Sequence, residues 1–255
     1  MNFAKKEHFT ADVSTSGILR RVPASVLLGT GLLLMAALAS CEAAGTFFST
    51  SWGTGLARDE ERLLPKVNAG NALELAADTA GDKKKAKVVA EKIRGALEKT
   101  NNPAERNTLL KAGLIAAGNT SDLVMVVLAN LNTLRDPAET PASILGKIGG
   151  AGDVQASAAL ISGLLDAGQV KSAGDLQGLA QDDLALAALT LLLADAQSLG
   201  KMSPGEQEDY LRDFEQKKQN SGLLTDKQRK ALVLASAVVQ NGGPLTDLLG
   251  NLHLF

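Results

Sequence analysis

Chemistry on a protein needs a nucleophile beside a base, a set of metal ligands or a cradle for phosphate, and this chain offers few of those parts. Its 255 residues include one cysteine, Cys41, and two histidines, His8 and His253. A serine or threonine nucleophile needs a neighbouring base, and the sequence has no GxSxG turn to present one. Metal sites draw on His, Cys or clustered carboxylates. The acidic runs Asp59-Glu60-Glu61 and Asp182-Asp183 are made of adjacent residues, which diverge by about 100° on a helix. They suit helix starts, where carboxylates complement the dipole. Gly149-Gly150-Ala151-Gly152 is glycine-rich, yet no strand precedes it and no Gly-Lys-Ser/Thr follows, so it reads as a plain loop. Gly53-Thr54-Gly55 is a weaker signal still. The expectation is a protein that is not an enzyme, with no cofactor and no metal site. The formal charge of −2 and the 3% aromatic content give no basic, aromatic face, so nucleic acid is not expected as a partner.

That leaves Cys41. It follows Val26 to Ala39, a run without charge, which is itself preceded by Lys5, Lys6, Arg20 and Arg21. A basic region, an apolar run of about 14 residues and then small residues is the order of a secretory signal peptide. The run is shorter than the ~20 residues of a spanning helix. Arg20-Arg21 reads as an ordinary basic flank, because Val22-Pro23-Ala24 does not match a twin-arginine signal.

The residues Leu38-Ala39-Ser40-Cys41 resemble the lipobox of bacterial lipoproteins. The resemblance implies cleavage between Ser40 and Cys41, a diacylglyceryl group on the Cys41 thiol and an acylated new amino terminus. Palmitate-type chains at about 0.8 kcal/mol per buried methylene would hold a soluble body on a membrane. The implied location is extracytoplasmic, in the periplasm or on the cell surface. The layout of lipobox, aromatic tether and Ala/Leu-rich body is similar to helical lipoproteins of spirochaetes. Loss of residues 1–40 as a signal peptide leaves 22 basic and 26 acidic side chains, a net charge near −4.

Residues 41–56 form the expected lipidated tether. Phe47, Phe48 and Trp52 lie in it, and three roles fit them: packing under the first helices, lying at the lipid interface, or forming a partner-binding patch.

Residues 57–255 read as an all-α body, because helix formers dominate and β-branched or aromatic clusters are scarce. Ala86, Val89, Ile93 and Leu97 make one stripe over Lys83–Lys99. Lys83-Lys84-Lys85 at its start reads as a solvated face. Asn102 with Pro103 opens the next helix, and Gly118 is the expected left-handed stop. Ser121 or Asp122 is expected to cap 122–134, which is apolar on most sides and so expected to be buried. Asp182–Gln197 is the expected central helix, Ser203 to Glu206 a capping box with Leu211 and Phe214 inward, and Thr225 or Asp226 a further start. GLIAAG at 113–118 and GLLDAG at 163–168 suggest a 50-residue repeat of helical hairpins. The architecture expected is stacked antiparallel helical hairpins, solenoid-like, or an irregular helical bundle.

Such a body suits binding rather than catalysis. The expected function is a membrane-anchored envelope lipoprotein that acts as a protein-interaction or scaffold module. The alternative is a lipid- or small-solute-binding lipoprotein associated with transport.

Overall fold

The computed structural model describes residues 64–134, 136, 138–238 and 244–252, all within the unit Asp59–Phe255. Ser40, Cys41, Phe47, Phe48, Trp52, Asp59-Glu60-Glu61 and His253 lie outside the described residues. The described residues are all-α. Ten helices follow in order: α1 (Ala72–Ala77), α2 (Lys83–Leu97), α3 (Pro103–Gly118), α4 (Leu123–Leu134), α5 (Pro141–Ile148), α6 (Val154–Ala167), α7 (Gln181–Ser198), α8 (Pro204–Lys217), α9 (Asp226–Ala237) and α10 (Pro244–Asn251).

Local chemistry sets most of the starts. A helix leaves its first amide donors unpaired, and a short polar side chain at the N-cap accepts from one of them. Asp82 accepts from the Lys85 amide at 3.0 Å, Asn102 from that of Ala104 at 3.0 Å and Thr140 from that of Ser143 at 3.2 Å. Ser203 with Glu206, and Thr225 with Gln228, form reciprocal capping boxes. Proline occupies the first turn of α3, α5 and α8, where its missing N–H costs nothing. After α7 the chain turns left-handed at Gly200 (φ 74°), and the Lys201 amide reaches back to the Ala196 carbonyl at 2.9 Å. That closes a Schellman stop.

Alternate helices then form two layers. Helices α2, α6 and α9 lie in one, with α6 touching both of the others. Helices α1, α3, α7 and α10 lie in the second, where α3 packs on α1 and α7, and α7 on α10. The layers join through α2 on α3, α3 on α6, α6 on α7 and α7 on α9. The body is therefore an all-α bundle in which helices of the two layers pack against each other. Helices α4, α5 and α8 complete it, with α5 packed on both α4 and α8.

Helix α7 is the hub. Leu184, Ala185 and every residue from Ala187 to Ala196 are buried, as befits a helix enclosed by α3, α6, α9 and α10. The stripe Ala86, Val89, Ile93 and Leu97 faces inward on α2, and Leu211 and Phe214 do so on α8.

Several sequence expectations change. Helix α4 is not buried: only Leu123, Val127 and Leu134 are, while Met125 is 69% and Leu128 58% exposed. It lies at the flank of the bundle, touching α5 and, more lightly, α7. Gly118 is not a left-handed stop but the last helical residue, followed by Asn119 in right-handed conformation. The Ser121 hydroxyl donates back to the Gly118 carbonyl at 3.2 Å, and Asp122 stands directly before α4, where its carbonyl accepts from the Val126 amide at 2.9 Å and its carboxylate from Lys83. The six-residue similarity at a 50-residue offset falls on α3 and α6, which pack against each other in different layers. Helices α2, α6 and α9, which share a layer, begin at Lys83, Val154 and Asp226.

Candidate binding surface

Buried polar groups come first among places where chemistry could reside. Tyr210 on α8, Asp195 on α7 and Gln228 on α9 are 5%, 6% and 3% exposed. The Tyr210 hydroxyl donates to Asp195 at 2.7 Å and accepts from the Gln228 amide at 3.1 Å. The Gln228 oxygen accepts in turn from the Thr225 amide at 3.0 Å. Burial and the neighbouring Asp195 carboxylate push the Tyr210 phenol well above its ordinary pKa, so it remains a proton donor. The cluster bonds three helices together. All three side chains are buried and bonded to one another, which makes the cluster a tie between helices.

A second group is the half-buried Asp183, in the first turn of α7. Burial pushes its pKa up, the Lys111 ammonium works in the opposite sense, and Asp182 adds to the rise. It borders a cleft of about 180 Å³ between α3 and α7, lined by Leu114, Ile115, Ile161, Leu186 and Thr190. Asp182-Asp183 thus sits at a helix start as expected, with one carboxylate partly withdrawn from water.

The outer layer carries the larger recesses. One, about 440 Å³, runs between α2 and α6 and is lined by Lys84, Lys87, Glu91 and Arg94 on one side and Ala156, Ala159 and Leu160 on the other. The second, about 430 Å³, lies between α6 and α9 and is lined by Leu165, Val170, Leu232 and Val233 with Lys171 and Arg229. Both fall within the ~300–1,000 Å³ range of ligand recesses, and α6 forms a wall of each.

Ion pairs brace these recesses. Lys83 lies 2.7 Å from Asp122 and 2.7 Å from Asp153, which ties α2 to the starts of α4 and α6. Hydrogen bonds donated to Asp122 and then Asp153 hold the Lys83 pKa above the ordinary lysine value. Asp153 adopts a left-handed conformation, φ 61°, one that aspartate tolerates better than most side chains. At the other end Lys230 bridges Asp166 at 2.8 Å and Asp226 at 2.9 Å. Burial works against the Lys230 charge, but the two carboxylates outweigh it and its pKa is raised. Lys230 in turn holds Asp226 below the ordinary carboxylate value.

Close helix approach shapes the recesses. A Cβ on Gly163 would stand 3.2 Å from both Cδ and Nη1 of Arg94, so the bare backbone of α6 seats that side chain. A Cβ on Gly113 of α3 would stand 2.6 Å from Leu164 and 3.2 Å from Ile93. The first glycines of GLIAAG and GLLDAG each sit at a close helix contact.

Sequence reasoning read the Lys83 run as a solvated face. Only Lys84 of the three is exposed; Lys83 joins two aspartates and Lys85 pairs with Asp78 at 2.5 Å. The plain-loop reading of Gly149 to Gly152 fits its place between α5 and α6. A Cβ on Gly149 would collide with Gln207 of α8, so this glycine also permits packing. Among the described residues no group of three or more His, Cys, Asp and Glu side chains is placed to hold a metal ion. No single helix among them is long and apolar enough to cross a membrane, and α3 and α4 meet at 83°. No family model, no curated protein and no solved structure matches the chain.

Proposed function

We propose that the chain is a bacterial envelope lipoprotein, anchored by lipid on Cys41, whose helical body binds another protein. The observation that supports binding is the outer layer itself: two open recesses of about 440 and 430 Å³ flank α6. Layered helical arrays expose continuous surfaces of this kind and commonly use them for protein recognition. The anchor rests on Leu38-Ala39-Ser40-Cys41 and the basic and apolar segments before it. The carrier alternative calls for an apolar cavity, and the apolar cleft between α3 and α7, at about 180 Å³, lies below the usual size of small-molecule sites.

Two measurements test the two halves. Labelled fatty acid fed to cells is expected to enter the wild-type protein and not Cys41→Ala; equal labelling of both overturns the anchor. Cross-linked pull-down from the native envelope is expected to enrich a defined protein. Recovery of lipid in place of protein favours the carrier.

A further inference from the structure

We propose that the recess between α2 and α6 receives an acidic helix of the partner protein. This inference rests on the interaction-module reading and specifies where and by what chemistry that module binds.

The wall of the recess is cationic and unsatisfied. Lys84, Lys87 and Arg94 are exposed and line it together. Their spacing of three and then seven residues places them on one stripe of α2. At 1.5 Å per residue the stripe runs about 15 Å. None of the three is in an ion pair among the described residues, whereas Lys83, Lys85, Lys147, Lys217 and Lys230 each are. Glu91 is the one carboxylate within the stripe, so three cations outnumber one anion. At the α6 start, Asp153 shares Lys83 with Asp122, so one further negative charge faces the stripe and the recess keeps a single net positive charge.

The floor is small and apolar. Ala156 and Ala159 of α6 are exposed, and Gly163 continues the same stripe one turn on. Small side chains let a second helix approach to the 8–10 Å of a packed pair. Arg94, seated over Gly163, lies with its stem across the far end of the floor and its guanidinium unpaired. The recess thus offers a shallow apolar bed of about three helical turns beside a row of positive charge. An amphipathic helix with an alanine-rich seam and carboxylates along one edge satisfies both. A flat anionic membrane would meet the cations but leave the recessed floor uncovered. A long polyanion would be opposed by the chain's net charge of −2, whereas a helix with a few carboxylates answers the local charge only.

The test uses the full chain in detergent micelles and a fluorescent helical peptide of about 15 residues, rich in alanine, with glutamates spaced as Lys84, Lys87 and Arg94 are. Fluorescence anisotropy is expected to show saturable binding that weakens as salt shortens the screening length. Lys84→Glu with Lys87→Glu, both on the exposed edge of α2, is expected to weaken it about tenfold or more. Ala159→Trp fills the floor and is expected to abolish binding; Ala159→Gln, smaller and polar, is the second variant should the tryptophan disturb the fold. Equal binding of a peptide with lysine in place of glutamate overturns the proposal, as does charge reversal without effect or no binding to wild type. Binding of phosphatidylglycerol vesicles, lost on the same charge reversal while the peptide stays unbound, assigns the stripe to a membrane and overturns it too. Enrichment of a partner in the envelope pull-down that is unchanged by the charge reversal leaves the interaction module standing and removes only this groove.

Discussion

Tyr210 is the only tyrosine in the chain, and its hydroxyl is held between the Asp195 carboxylate and the Gln228 amide. A phenol whose folded pKa is raised contributes stability that is fully present below its unfolded pKa, about 10, and is lost as pH rises above it. Ultraviolet titration, which reads this one phenol, is therefore expected to show no tyrosinate until the protein unfolds in alkali. A reversible tyrosinate signal near pH 10 with the fold intact would contradict the burial. Tyr210→Phe leaves Asp195 without that donor and is expected to cost about 1–3 kcal/mol in denaturant melts. None of this was legible in the sequence, since 15 and 18 residues separate Tyr210 from its partners and no helical spacing links them. One hint existed: Asp195 is a charged residue deep in the most apolar helix, and such a residue needs a partner. The aspartates that hold Lys83 were equally hidden, because only tertiary packing brings Asp122 and Asp153 to it.

At the scale of helices, starts were readable and burial was less so. Asn102, Ser203 and Thr225 cap as expected because capping depends on residues within one turn. The exposure of α4 was not readable. A helix without a charged side chain between Leu123 and Leu134 carries no mark of which side meets solvent, and its place beside α5 at the edge of the bundle decides it. Glycines were ambiguous for the same reason. Gly95 of α2 has open space where a Cβ would be, whereas Gly113 of α3 abuts Leu164, itself fully buried. Gly95→Ala is expected to raise stability by about 0.5–1 kcal/mol through helix propensity. Gly113→Val is expected to lower it by about 1–3 kcal/mol through overpacking. Thermal melts of the two variants check both directions, and a stabilised Gly113→Val would contradict the three-helix contact of α2, α3 and α6.

At the scale of the described body, the helices of one layer, α2, α6 and α9, begin 71 and 72 residues apart. Helices α4, α5 and α8 fall between them in the chain, so sequence pattern conveyed helices without conveying which ones share a layer. The all-α class was legible from composition because it sums many weak preferences. The two recesses beside α6 were not, since each combines residues from helices far apart in the chain. If the body is an interaction module, its partner lies on this layer. A photo-reactive amino acid in place of Lys87, beside the α6 floor, and one in place of Glu208 of α8, in a separate cleft beside Pro141 of α5, compare the two surfaces in the native envelope. A discrete cross-linked protein is expected from position 87 and none from position 208; cross-linking from 208 alone, or from neither position, would overturn the assignment of the partner to this layer.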